Sequence, residues 1–177
     1  GKYNALLYAG GLFVAVGDSG NIQTSPDGIT WTSHSLSLTN NLHTITHPNN
    51  TYVATGTGGL IATSPDVVNW AVPSSPTTND LSFAAFANSR FLLTESNGIG
   101  LVSTDGTNWS RHFHNIVQDP VCYLAKNCVG WSATLALTSD SKRFIAKFVG
   151  RTPYGWTSVG LLTSPDGTNW WAAPQAP

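Results

Sequence analysis

The sequence predicts an all-β fold built from four copies of one small sheet, and three observations lead to that class. A segment of 19 residues recurs along the 177-residue chain. Gly, Ser, Thr and Asn are abundant whereas glutamate occurs once, a composition typical of strands and turns. The stretch LFVAV at 12–16 is apolar at every position, which indicates a strand buried on both faces.

Each repeated segment begins at an aromatic residue and ends at a tryptophan. Three copies span 13–31, 52–70 and 91–109, and their starts lie 39 residues apart. The fourth copy, at 144–170, has 27 residues, an insertion of 8, and starts 53 residues after the third, an insertion of 14 over the period. A period of this length indicates one supersecondary unit stacked on itself.

Four strands fit each repeat. In the first copy they lie at 6–9, at 12–16, at 21–25 and from Trp31 onward, with Gly-rich turns after the first two. Four-stranded sheets stacked radially with a period near 40 residues form a β-propeller. We therefore predict a single β-propeller domain over 1–177 with four four-stranded blades at approximately 1–38, 39–77, 78–115 and 131–177, and a long inter-blade insertion at 110–130.

A phrase of the form S-P-D-G-T-N-W ends every copy. Ser, Pro, Asp and Gly are the residues that a type I turn prefers in that order, and the Asp carboxylate accepts N–H groups of the turn. The following Trp packs a large ring beside it. We predict that the phrase closes the hairpin between the third and fourth strands and is structural at Ser25, Asp27, Trp31, Ser64, Asp66, Trp70, Ser103, Asp105, Trp109, Ser164, Asp166 and Trp170.

This phrase resembles the Asp-box, or BNR, repeat of sialidase-like and related β-propellers, and the resemblance covers all four copies. The version here is one residue shorter between Asp and Trp than the usual motif, and Val67 replaces Gly in the second copy. The longer repeat also resembles those of bacterial and phage surface or tail-associated proteins. The resemblance implies Asp-box turns on one face of a propeller and an extracellular, virion or cell-surface location.

The four copies leave no strand over to close a ring by exchange. Either a four-bladed ring closes within one chain, or chains join into a larger propeller. We favour the closed monomer, because 177 residues over four blades suit the smallest ring, and keep the oligomer as the alternative.

Both insertions are predicted on the same face of the propeller. Turns after the first and third strands share one face, while turns after the second strand and the links between blades share the other. The insertions fall in such a turn, at 150–160, and in such a link, at 110–130. Insertions on one face of a repeat protein often mark its binding face.

The inserted segments carry aromatic and polar residues that the repeat does not require. An exposed indole beside a few polar groups suits a sugar ring, whose C–H face stacks on the aromatic ring. The alternative is that these rings only pack the long loops. The predicted ligand-binding residues are Trp156, Tyr154, Arg151, His112, His114, Asp119, Tyr123 and Trp131.

The cysteines and histidines do not predict a metal site. Cys122 and Cys128 are spaced either for a small loop-closing disulfide or for two thiols, and not for zinc knuckles. The pair of His112 and His114 has no further ligand in sequence, and neither has the pair at 43 and 47. We predict no metal and no cofactor.

Charge and hydropathy exclude two classes of partner. The net charge is -1, with 8 basic residues and no basic run, which argues against nucleic acid. No stretch approaches the roughly 18 apolar residues of a membrane helix. We predict neither nucleic-acid binding nor membrane insertion.

Binding is favoured over catalysis. The resemblance implies that a sialidase would need an arginine triad, a tyrosine paired with a glutamate and an aspartate acid; the chain has four arginines and only Glu95. We predict a non-catalytic, carbohydrate-binding (lectin-like) or adhesive propeller of a phage or bacterial surface protein that takes a cell-surface glycan. The alternative is a protein–protein scaffold in a larger assembly, and a glycoside hydrolase is less favoured.

Overall fold

The structure of the protein is a computed structural model that describes residues 2–95, 99–112, 115–118, 131–151 and 157–172. Side chains are described there except at positions 35, 115–118, 131–137, 148–151, 157–160 and 172. The chain forms two compact units: residues 1–84 with 106–109, and residues 85–105 with 110–177. Within the described residues there is no helix long and apolar enough to span a membrane.

Sheet I of the first unit has four antiparallel strands in sequence order. They are β1 (Tyr3–Ala9), β2 (Leu12–Gly17), β3 (Asn21–Ser25) and β4 (Thr32–Ser35). These strands agree with the predicted ones to within three residues at each end. A Gly10–Gly11 turn with φ of 59° and 79°, which only glycine adopts readily, connects the first two.

Sheet II of the same unit has three strands, one fewer than predicted. They are β5 (Leu42–Thr46), β6 (Tyr52–Gly56) and β7 (Ile61–Ser64). A fourth strand is reduced to one bridge, in which Thr63 and Ala71 exchange two hydrogen bonds of 2.8 Å. The next ladder position would fall on Pro73, which has no N–H to donate, so the pairing stops.

The core of the first unit lies between facing sides of sheets I and II. Val14, Val16 and Ile22 of sheet I are fully buried and cluster with Tyr52 and Ala54 of sheet II. The predicted burial of both faces at 12–16 is correct for Val14, Ala15 and Val16, whereas Leu12 and Phe13 are only half-buried. The equivalent strand β6 is buried throughout.

Sheet III has four strands. They are β8 (Leu81–Ala87), β9 (Arg90–Glu95), β10 (Gly100–Ser103) and β11 (Ser110–His112), with β8 and β11 at the edges. All of it from Ala85 onward belongs to the second unit.

Sheet IV has five strands, one more than predicted. They are β12 (Asn115–Gln118), β13 (Trp131–Ser139), β14 (Phe144–Arg151), β15 (Thr157–Ser164) and β16 (Asn169–Ala172), in the order β12-β16-β15-β14-β13. The extra strand comes from the predicted insertion and pairs in parallel with β16, whose free edge offers unpaired backbone groups.

The predicted turn at 150–160 is also shorter than expected. Arg151 pairs with Thr157, and the β14–β15 ladder runs without interruption from that pair to Phe144 and Ser164. Part of the 8-residue insertion therefore lengthens the two strands, and the β-branched residues Val149, Thr157 and Val159 favour that extension.

The core of the second unit lies between sheets III and IV. Leu92 and Val102 of sheet III cluster with Phe144, Ala146 and Leu162 of sheet IV. Trp170 belongs to the same cluster and is completely buried. In both units, then, the core includes side chains from the middle strands of two facing sheets.

The S-x-D phrases share one hydrogen-bond pattern. Each Ser hydroxyl donates to Oδ1 of the Asp two residues later, at 2.9–3.1 Å. At Asp27, Asp66 and Asp166, Oδ1 also accepts the second and third backbone N–H groups after it, at 2.8–2.9 Å. The indole Nε1 of each Trp donates to the carbonyl oxygen three residues earlier. The aspartate organises the turn, and the tryptophan is tied to it.

The residue after each Asp adopts a left-handed backbone conformation. Gly28, Gly106 and Gly167 have φ of 75–77°, where glycine is unstrained, whereas Val67 has φ of 62°. A β-branched residue is strained there. The Val67 side chain is 2% exposed and belongs to the core of the first unit, so apolar burial compensates for the strain.

Candidate functional site

The second unit has two distinct ends. The backbone N–H of Asn88 donates to Ser141 O at 3.2 Å, and its side-chain amide donates to Pro165 O at 3.3 Å, so the β8–β9, β13–β14 and β15–β16 turns meet at one end. Strands β9 and β14 begin there and run away from it. Their last residues, Glu95 and Arg151, therefore lie at the opposite end, where sequence analysis placed the ligand.

Glu95 and Arg111 form a two-point ion pair at that end. Nε of Arg111 donates to Oε1 at 2.6 Å and Nη2 donates to Oε2 at 3.0 Å. Arg111 lies in the cross-strand row of Leu101 and Leu93, and Glu95 follows Leu93 by two residues. Because side chains alternate along a strand, both charged groups lie on the same face of sheet III.

The two side chains of this pair differ in burial. The Glu95 side chain is 0% exposed, whereas that of Arg111 is 34% exposed. The hydrogen bonds and charge of Glu95 raise the pKa of the Arg111 guanidinium, so the arginine stays charged. A fork of two parallel charge-assisted bonds fixes the guanidinium plane and leaves Nη1 outside the pair. The result is a rigid polar group with one side toward solvent.

Glu95 stands where the first two sheets require glycine. The equivalent residues, 78 and 39 positions earlier, are Gly17 and Gly56. Both have extended backbones, and a Cβ on either would collide with a backbone carbonyl oxygen, of Lys2 or of Asn41. The turn itself is retained, since Gly56 N donates to Leu60 O and Glu95 N to Ile99 O. The glutamate is therefore not required by the turn.

His112 lies apart from the ion pair. It follows Arg111 directly in β11, so it projects from the other face of the sheet. Its Nε2 is 3.0 Å from the hydroxyl of Ser110. The structure thus does not bring His112 and Arg111 together on one surface, although the sequence placed His112 in the ligand site.

Two other predicted residues are placed by their backbones. Trp131 begins β13 opposite Gly150, and Arg151 ends β14 opposite Thr157, so both reach the Glu95 end of the second unit. The other predicted residues lie outside the described part of the chain: Tyr154, Trp156, His114, Asp119, Tyr123, Cys122 and Cys128.

The histidines of the first unit have local partners. His43 Nδ1 donates to Leu81 O at 3.2 Å. The His47 ring lies 4.0 Å from the Tyr52 ring, and burial lowers the pKa of His47. In the part of the chain that the structure describes, no three His, Cys, Asp or Glu residues lie close enough to hold a metal ion.

The pairing of Glu95 with Arg111 was not predicted from the sequence. Both residues stood out, one as the single glutamate and the other as part of the long link. One feature of the sequence could have indicated the pair: at this position of the repeat, glutamate replaces the glycine of the first two copies. The turn does not require a charged residue there.

Comparisons of the structure find β-propeller-like proteins. YCF48 from Cyanidioschyzon merolae has a TM-score of 0.61 at 14% identity, over 91% of this chain and 63% of that one. The designed protein Ika8 gives 0.58 at 13% identity, over 89% and 45%. YCF48 bound to D1 peptide gives 0.57 at 16% identity, over 97% and 66%.

These likenesses show the fold alone. The chain is an all-β protein whose structural neighbours are β-propeller-like, and it spans just under two thirds of the YCF48 chains that it matches. No protein-family profile and no curated protein matches the sequence.

Proposed function

We propose that the protein is a non-catalytic binding module: a lectin-like or adhesive propeller of four Asp-box blades, carried on a bacterial or phage surface structure. Its ligand is a saccharide, bound at the end of the second unit that carries Glu95 and Arg111. The observation that carries this proposal is the ion pair, because its carboxylate stands at a repeat position that is glycine in sheets I and II.

The ion pair has the chemistry to recognise hydroxyl groups. A guanidinium fixed by a buried carboxylate presents donors in a set plane, and neighbouring sugar hydroxyls match such planar groups. Trp131 reaches the same end through β13, and Trp156 and Tyr154 belong to the segment that follows Arg151. We propose that these aromatic rings stack on the sugar. The net charge of -1 offers no strong field for a polyanion, which favours a neutral or weakly charged saccharide.

The state of the carboxylates favours binding over hydrolysis. Glycoside hydrolysis needs two carboxyl groups at the bond, one of them protonated. Both oxygens of the Glu95 carboxylate accept hydrogen bonds from the Arg111 guanidinium. Backbone N–H groups of Lys142 and Arg143 lower the pKa of Asp140. At Asp166 burial acts to raise the pKa, but the N–H groups of Asn169 and Thr168 outweigh it and the pKa lies well below its usual range. These three groups are suited to structure, not to proton transfer.

A protein partner is the second candidate. One structural neighbour, YCF48, is bound to a D1 peptide. The same end of this protein would then hold a peptide whose polar groups meet Arg111, and a flat apolar surface in place of a sugar-sized pocket would favour that use.

A glycan array tests the first candidate. The native chain is compared with Arg111→Lys, which keeps the charge but loses the two-point fork, and with Arg143→Lys as a matched control. Arg143 is about half exposed and pairs with Asp140 at 3.3 Å, in the turn at the other end of the same unit. We expect the native chain and the control to retain the same glycans and Arg111→Lys to lose them.

Two outcomes would count against the proposal. Retention of no glycan, together with retention of a peptide from a peptide array, would replace it by the protein partner. Equal binding by Arg111→Lys and the native chain would remove the ion pair from the site.

A further inference from the structure

One side of sheet I carries exposed apolar residues. Tyr8 lies opposite Phe13 in the β1–β2 ladder, with ring centroids 4.6 Å apart, and Leu6 lies opposite Ala15. Leu6 is 65% and Tyr8 62% exposed. This side faces away from the core, to which Val14 and Val16 point from the other side of the sheet. We call Leu6, Tyr8 and Phe13 the aromatic face.

The position of Phe13 is buried in each of the other sheets, and the position of Leu6 is buried in sheet II. The counterparts of the half-buried Phe13 are Tyr52, Phe91 and Phe144, which are 4%, 3% and 0% exposed. The counterpart of Leu6, 39 residues later, is Ile45, which is 8% exposed. The repeat therefore has buried apolar side chains at these two positions. In the first copy the residues at the same positions are also apolar, but they are more exposed.

The interior shows what packs on such a face. In the first unit, Tyr52 and Ala54 are covered by Val14, Val16 and Ile22 of the neighbouring sheet. In the second unit, Phe144 and Ala146 are covered by Leu92 and Val102. In both cases the covering surface consists of aliphatic side chains from the second and third strands of a sheet.

Sheet IV also has aliphatic side chains on one side of β14 and β15, and one of them, Leu161, is exposed. Leu161, three residues before Ser164, is 58% exposed, whereas the residues at that position in sheets I and II, Ile22 and Ile61, are both 0% exposed. Leu161 lies opposite Lys147 in the ladder, and Ile145 is two residues from Lys147 on the same side. We call Ile145, Lys147 and Leu161 the leucine face. The aliphatic stem of Lys147 can lie along apolar surface while its ammonium stays in water.

We propose that the aromatic face of one chain packs against the leucine face of a second copy of this chain, so that chains associate as in the alternative to the closed monomer that the sequence favoured. Contiguous exposed apolar residues mark interaction surfaces. Inside each unit, a side of a sheet that resembles the aromatic face packs against a side that resembles the leucine face. The contact joins two different surfaces, so it is head-to-tail. It repeats between chains the sheet-on-sheet packing already present within each unit.

Sedimentation velocity over a range of concentrations tests the contact, with Leu6→Glu, Leu161→Glu and the control Val72→Glu. All three residues are more than half exposed, so the variants should fold, and thermal melting checks this. A buried carboxylate without a partner opposes burial of either face. We expect the native chain and Val72→Glu to associate, and each of the other variants to be monomeric.

Mixing the two monomeric variants gives the sharpest result. Leu161→Glu keeps an intact aromatic face and Leu6→Glu keeps an intact leucine face, so an equal mixture should form a complex of two chains and nothing larger. A native chain that stays monomeric at every concentration overturns the proposal. So does association that Leu6→Glu removes but Leu161→Glu does not, because that pattern shows two aromatic faces in contact.

Discussion

Trp170 and Trp31 occupy the same position of the repeat, yet Trp170 is completely buried and Trp31 is 36% exposed. Their local bonding is the same, since each indole donates to the carbonyl oxygen three residues earlier, at 3.3 and 3.2 Å. What differs is the surroundings: Trp170 packs into the core of the second unit with Phe144 and Leu92. The same motif therefore contributes unequally to stability in different copies.

Replacing these two tryptophans by alanine should separate the contributions. Trp170→Ala should lower the free energy of unfolding by about 3–5 kcal/mol, because it leaves a large cavity. Trp31→Ala should lower it far less, since its ring is already partly in water. Urea denaturation of dilute protein measures both, and equal losses would show that the shared turn bond, not the core, accounts for the effect.

Removing one aspartate of the repeated turn should destabilise the fold without affecting the ligand. Asp166→Ala leaves the N–H groups of Thr168 and Asn169 without their acceptor, which should lower the free energy of unfolding by about 1–3 kcal/mol. Urea denaturation gives the loss, and titration of the folded variant with its glycan gives the affinity. Weaker binding by a folded Asp166→Ala protein would place the ligand at the turns instead.

Acid should remove the stabilisation that Asp27 provides. Backbone N–H groups of Thr30 and Ile29 and the Ser25 hydroxyl lower the pKa of Asp27 from 3.8 to about 2. The folded state therefore binds fewer protons than the unfolded state between these values. The contribution is complete above pH 3.8 and is lost as the pH falls toward 2. Thermal melts from pH 7 to 2 should show Asp27→Asn less stable than the native chain at pH 7, with the difference becoming smaller as the pH falls from 3.8 toward 2. A difference that stays constant with pH would rule out the carboxylate charge as its cause.

Removing one partner of the ion pair should lower the melting temperature more than removing both partners. Arg111→Ala leaves the buried Glu95 carboxylate without the guanidinium that neutralises it, so the melting temperature should fall. The double variant Glu95→Leu with Arg111→Ala removes both charges and should recover part of that loss. Differential scanning calorimetry compares them at pH 7. A double variant less stable than Arg111→Ala would show that Glu95 stabilises the fold through other contacts.

The repeat made much of the fold predictable. The strands of sheet I follow from the apolar run at 12–16 and its flanking glycines, because local propensity and burial agree there. Sheet II lost a strand because Pro73 removes a donor two residues after the single bridge, a local signal that was available in the sequence. The parallel pairing of β12 with β16 was not predictable, since it joins segments more than 50 residues apart with no shared motif.

The site was harder to predict than the fold. Composition and insertions indicated which end of the sheets departs from the repeat, and Arg151 and Trp131 lie there. The ion pair depends on which face of β11 holds Arg111, and a shift of one residue in register would have placed His112 beside Glu95 instead. Sequence patterns alone do not determine the register of so short an edge strand.

Hydrogen–deuterium exchange tests the central claim, that the protein binds its ligand at the end of the second unit carrying Glu95 and Arg111. The native chain is measured alone and with the saccharide that the array retains best. We predict slower exchange of backbone N–H groups around Glu95 and Arg111, with no change in the turn at 164–170 at the other end of the unit. Slower exchange in that turn, with none around Glu95 and Arg111, would contradict the account.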